Sequence, residues 1–176
     1  MTETTIQPVT YEEAGDERTT LLSTIDRIRG TFAWKCGGLD AAATDTTLGP
    51  STLTLGGLLK HMALLEDHYF TSMFAGRTMP EIWHSYEGDD WEWRTAKDDS
   101  PEQLMAWWKE AVNRSRAVIA EGDLDALAQK PSHWGGTLSL RRIIADLIEE
   151  YARHTGHADL IRESIDGLVG EDPPES

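Results

Sequence analysis

The feature that most constrains this chain is helical periodicity: four long stretches place apolar side chains every three or four residues, each between a start and a stop signal. The first spans about Asp16 to Cys36, with Leu21, Ile25, Ile28 and Phe32 on one face, and it ends at Gly37-Gly38. The second spans about Thr54 to Ala75, carries Leu58, Met62, Leu65, Tyr69 and Met73, and stops at Gly76. The third opens with Ser100-Pro101-Glu102-Gln103, where Ser100 can cap, Pro101 suits the first helical position and Gln103 can complete a capping box. Leu104, Trp108, Ala111, Ser115 and Val118 then share a face up to Gly122. The fourth begins near Ser139 and runs through Leu140, Ile144, Leu147 and Ile148 to Ile165, with Gly167 just past its end. No alternating strand pattern competes with these segments, so the expectation is an all-α fold, a four-helix bundle.

Two connections are long. Residues 78–99 show no helical period but hold Trp83, Trp91 and Trp93, and an irregular stretch over 128–137 precedes the fourth helix. Simple up-down-up-down order is therefore not forced. With 176 residues the chain can bury its own core without disulfides or a structural metal. The expectation is a single domain over 1–176, with a core from about 16 to 167 and acidic, flexible tails.

Formal net charge is −15, and the excess acid is spread along the whole sequence. Binding phosphates requires clustered Lys and Arg, so the pattern argues against nucleic acid or an anionic membrane as partner. Cys36 is the only cysteine, which rules out an intrachain disulfide and a thiolate metal cluster and suits a reducing cytoplasm. The opening MTETTIQPVTYEEAGDE has no basic region followed by an apolar core, and no apolar run approaches the roughly 20 residues of a membrane-spanning helix. A cytoplasmic location is the expectation.

The chemistry concentrates in the fourth segment. Ile143, Leu147, Glu150, His154, His157 and Ile161 follow alternating steps of four and three, so they line one face of a helix. Three ionisable groups thus interrupt an apolar stripe, where burial requires that a charge be paired or bound to a metal. A carboxylate and an imidazole four residues apart project side by side and can reach one ion. On the second segment His61 flanks the apolar face near Leu58 and Leu65, placed to add a ligand from a facing helix. Two imidazoles and one carboxylate leave coordination positions open, as catalytic metal sites do.

Plainer alternatives stand beside each of these. Glu150 and His154 also suit a salt-bridged pair, and His61 suits a hydrogen-bonded packing role. Trp108 is expected in the core with Trp107 at its boundary, while Trp83, Trp91 and Trp93 either pack or line a pocket above the bundle. His133-Trp134 can border a pocket. His68 and His84 look structural or solvent-exposed, and Arg153 and Asp159 look like solvent or interface residues.

His61 in LLKHMALLEDHYF, followed about 90 residues later by EEYARHTGHADLIRESIDG, resembles the DinB superfamily of metal-binding four-helix bundles, and within it the branch associated with mycothiol and bacillithiol chemistry. The resemblance spans about Glu17 to Gly167. The commonest pattern in that family has one histidine on the second helix and a His-x-x-x-His pair on the last. Here Glu150 replaces the first member of the pair, as in mycothiol-dependent maleylpyruvate isomerase, and His154 matches the second. The resemblance therefore implies His61, Glu150 and His154 as ligands to one divalent metal. Zinc is the first expectation, and the harder carboxylate also admits nickel, manganese or iron. His157, one turn further, is then an orienting residue, a proton shuttle or a fourth ligand, in that order of preference.

By the same resemblance the implied activity is a thiol S-transferase or isomerase that joins a low-molecular-weight thiol such as mycothiol to a small electrophile, in a detoxification role. A metal-holding or small-ligand-binding stress-response bundle without turnover is the alternative. The resemblance permits a homodimer.

Overall fold

A computed structural model describes residues 13–88 and 90–173. Its helices are α1 (Glu17–Cys36), α2 (Ala41–Thr44), α3 (Leu55–Glu66), α4 (Trp91–Thr95), α5 (Pro101–Glu121) and α6 (Leu140–Asp166). Among the described residues there is no strand, only an isolated bridge between Leu127 and Ser139. The protein is an all-α bundle of four long helices.

Side-chain caps, of which Ser100 is the expected one, account for where those four begin. Asp16, Thr54, Ser100 and Ser139 each have extended backbone, and each side chain accepts from the amide three residues on. One of the donors that every helix start leaves open is thereby satisfied. At the far end of α6, Gly167 takes the left-handed conformation at φ 77° and returns its N–H to the Glu163 carbonyl, a conformation that costs glycine little. The C-terminus of α1 is closed from outside: Arg162 on α6 donates to the Lys35 and Gly37 carbonyls.

The apolar faces meet in one contiguous core. α1 packs chiefly on α6 and α3 on α5, and α3 also touches α6. Ile25 and Phe32 of α1, Leu58 and Met62 of α3, Leu104 and Trp108 of α5, and Ile143 and Leu147 of α6 are all buried there. Each such side chain contributes about 1.5–3 kcal/mol by leaving water.

Three features depart from the expected helices and loops. The second helix is α-helical only to Glu66 and then widens into a π-helix over Asp67–Phe74. The change falls where two consecutive acids, Glu66 and Asp67, are both fully buried and held by different walls. Arg29 of α1 and Tyr151 of α6 take Glu66, while Arg114 of α5 and Trp83 take Asp67. The tryptophan-rich connection is not irregular throughout: it contains α4 and two short 3₁₀ turns, Glu81–Trp83 and Ala96–Asp98. The connection from α1 to α3 carries the short α2, capped by Asp40.

Most of the expected acidic N-terminal tail, residues 1–12, lies outside the described residues, as do residues 174–176. The start of the C-terminal tail lies along α1, where the Thr31 hydroxyl donates to the Glu171 carbonyl at 2.8 Å and Arg27 pairs with Asp172 at 3.0 Å. Among the described residues no helix is long and apolar enough to cross a membrane.

Candidate metal centre

Residue spacing on α6 determines what faces α3. Ile143, Leu147 and Ile161 of the stripe are buried, and so is His154, whereas Glu150 and His157 are half-buried between them. α3 presents His61, also half-buried, from across the seam. One ligand atom from each of His61, Glu150 and His154 lies within 4.8 Å of the other two. His154 Nε2 is 3.3 Å from Glu150 Oε2, and the His61 and His154 rings meet edge to face with centroids 4.9 Å apart.

Both imidazoles have one nitrogen already engaged. His61 Nδ1 is 2.9 Å from Glu92 Oε1, and His154 Nδ1 is 3.3 Å from His157 Nδ1. Burial, reinforced by the neighbouring His61 and His157, pushes the His154 pKa down to about 3. The ring is therefore neutral at physiological pH, and the Glu150–His154 contact is not an ion pair. Burial pushes the Glu92 carboxyl up, but the hydrogen bond with His61, a backbone hydrogen bond and the nearby His61 and Lys60 charges together hold it below the usual carboxylate range.

The residues present suit a divalent cation. One ring nitrogen from each histidine and a carboxylate oxygen can all serve as ligand atoms, and among the described residues no lysine or arginine pairs with Glu150. A nitrogen–oxygen donor set of this kind is within the range that zinc, nickel, manganese and iron accept.

His157 stands outside the converging trio, against the far nitrogen of His154. The three loop tryptophans divide: Trp83 and Trp91 are core residues, whereas Trp93 stacks on His61 at 4.6 Å with its ring 5.9 Å from His154. Trp108 is core and Trp107 at its boundary, as expected. Trp134 is 73% exposed, with His133 against it. His68 and His84 are exposed. Arg153 is exposed and pairs with Glu149, and the partly exposed Asp159 pairs at 3.0 Å with the buried Lys35, tying α6 to α1.

Glu92 is the site residue that sequence reasoning misses. It sits 31 residues from His61 in a run rich in acids, where nothing local separates it from a surface carboxylate. The only available signal is its place between Trp91 and Trp93, two large apolar residues that draw the segment inward.

Fold and site together define the class: a DinB-type helical bundle with a His–Glu–His cluster set between two of its long helices. The chain belongs to the mycothiol-S-transferase family, whose sequence profile matches residues 20–167. Comparison with curated proteins finds no match. Among solved structures, the crystal structure of the conserved protein of locus from Enterococcus faecalis is similar, with a TM-score of 0.68 at 16% identity, over 88% of this chain and 100% of that one. At that identity the likeness shows the fold.

Proposed function

We propose that the protein is a divalent-metal-dependent thiol S-transferase that joins a low-molecular-weight thiol, mycothiol or a close analogue, to a small electrophile. The observation that carries this is the convergence of three possible ligand atoms from His61, Glu150 and His154 within 4.8 Å. Membership of the mycothiol-S-transferase family supplies the thiol and the transfer chemistry. His61, Glu150 and His154 would hold the ion, with zinc as first candidate and nickel, manganese or iron as alternatives. A bound divalent ion lowers the pKa of a thiol at an open coordination position, so that thiolate is available at neutral pH.

The chain's own groups supply the rest. Two imidazoles and a carboxylate leave coordination positions for an incoming thiol. His157, in contact with His154 Nδ1, orients that ring and is placed to hold a proton. Trp93 forms an aromatic wall over His61, apolar surface against which an electrophile can rest.

Elemental analysis of protein purified without a metal-affinity tag is the test. Near one equivalent of divalent metal is expected in the parent and little in His61→Ala or Glu150→Ala, with helicity retained in both because the core does not depend on them. His157→Ala should keep its metal and transfer mycothiol to a chromogenic alkylating electrophile more slowly. Stoichiometric metal in Glu150→Ala would show the ligand assignment to be wrong, and its absence from the reconstituted parent would remove the transferase mechanism.

A further inference from the structure

Glu92 is a costly residue where it stands. Its side chain is almost fully buried on α4, it is 2.9 Å from His61 Nδ1, and its second oxygen, Oε2, is buried with no hydrogen-bond partner. A buried carboxylate with an unserved oxygen is a liability for folding, so stability alone does not explain it. The side chain it hydrogen-bonds is that of His61.

The segment bearing Glu92 is fastened to α3 on both sides of that histidine. Lys60, next to His61, donates to Thr95 Oγ1 at 2.8 Å, pairs with Asp99 and lies 4.4 Å over the Trp91 ring. One turn earlier stands Gly57, where an added Cβ would come within 2.8 Å of Trp93 Cε3. The glycine admits the indole, and the indole stacks on His61. The strap over 91–99 is thereby locked to the helix that carries the imidazole, and it brings Glu92 to one ring nitrogen and Trp93 to the ring face.

We infer that Glu92 is a positioning residue for the metal centre: it accepts the Nδ1 proton of His61 and so keeps the Nε2 lone pair free for the ion. This rests on the metal-dependent function proposed above. The physical reason is the tautomer. A neutral imidazole carries one hydrogen; with that hydrogen on Nδ1, Nε2 is an acceptor, and with it on Nε2 the ring cannot ligate through that atom. A carboxylate on the remote nitrogen selects the first form, fixes the ring plane and raises the basicity of the ligating atom. Without Glu92 the ring divides between tautomers and swings against Trp93.

Two measurements on the full chain test this. Nitrogen NMR of the metal-free protein at mildly alkaline pH reads the His61 tautomer directly, and competition with a chromophoric chelator gives the affinity for zinc alone. The parent should show His61 with hydrogen on Nδ1. Glu92→Ala should lose that preference and bind zinc about 10–100-fold more weakly. Glu92→Gln, whose amide oxygen can still accept, should fall between them. Hydrogen on Nε2 in the parent, or zinc affinity in Glu92→Ala within about threefold of the parent, would overturn the role of Glu92 while leaving the metal assignment intact. A parent with the Nδ1 tautomer and no zinc binding overturns the metal-dependent function instead, and the positioning role with it. Should Glu92→Ala not fold, Glu92→Gln with parental affinity and tautomer also overturns the role.

Discussion

Two polar clusters lie close together along the seam between α3 and α6, and they are built on opposite plans. In the first, Arg29 grips Glu66 through two bonds of 2.8 and 2.7 Å, the Tyr151 hydroxyl donates to the same carboxylate at 2.6 Å, and Trp108 Nε1 donates to Tyr151 at 2.9 Å. Arg29 reaches Asp26 as well. Donors and acceptors match, and the side chains of Arg29 and Glu66 are 2% and 0% exposed. In the second cluster, His61, Glu150 and His154 bring one possible ligand atom each toward a common point, and two of the three are half-buried. A network that closes on itself can only hold the fold together. A cluster whose ligand atoms converge on one point suits the bound ion proposed above.

That contrast can be broken most directly at Arg29. Arg29→Met leaves Glu66 buried without its cation, and removing one partner of a buried pair costs about 3–5 kcal/mol. Urea denaturation of the metal-free protein should show a loss of this size, with zinc affinity within a few-fold of the parent. A loss below about 1 kcal/mol would mean that Glu66 simply protonates at little cost, and the two clusters would then differ less than their geometry suggests.

Acid should separate them next. The unfolded chain takes up a proton on His154 near pH 6.5, whereas the folded chain resists until about 3. Between those values the unfolded state binds more protons, so metal-free stability falls as pH drops through this window. The loss attributable to His154 is on the order of a few kcal/mol. Comparing the parent with His154→Gln by denaturation at a series of pH values isolates it: the difference between them should shift in favour of the variant on acidification. Parallel curves would show that the histidine is not held neutral by burial.

The smallest effect sharpens the description of the closed cluster. Tyr151→Phe removes the hydroxyl that joins Glu66 to Trp108, leaves the indole N–H without its acceptor, and should cost about 1–2 kcal/mol. Thermal unfolding would register it. No measurable change would place a water in the hydroxyl's position.

Much of this protein was legible along the chain because the forces involved are local. The caps at Asp16, Thr54, Ser100 and Ser139 act within three residues, and the alternating steps that bring Glu150, His154 and His157 into one line are a property of any α-helix. The resemblance added His61, which its own surroundings did not distinguish from a packing histidine. Asp159, by contrast, looked like an ordinary helix charge, since its partner Lys35 stands on α1 far away in sequence.

The sequence by itself determined four helices, their ends, the faces they bury and the order of ionisable groups on the last of them, because periodicity and capping are short-range. Tertiary structure alone decided that Glu66 and Asp67 part company at the start of a π-helix, that Trp83 and Trp91 enter the core, and that Glu92 meets His61. Each of these depends on which distant wall a buried charge or ring finds. A carboxylate's neighbours in the chain say nothing about the cation or imidazole that will meet it once the helices pack.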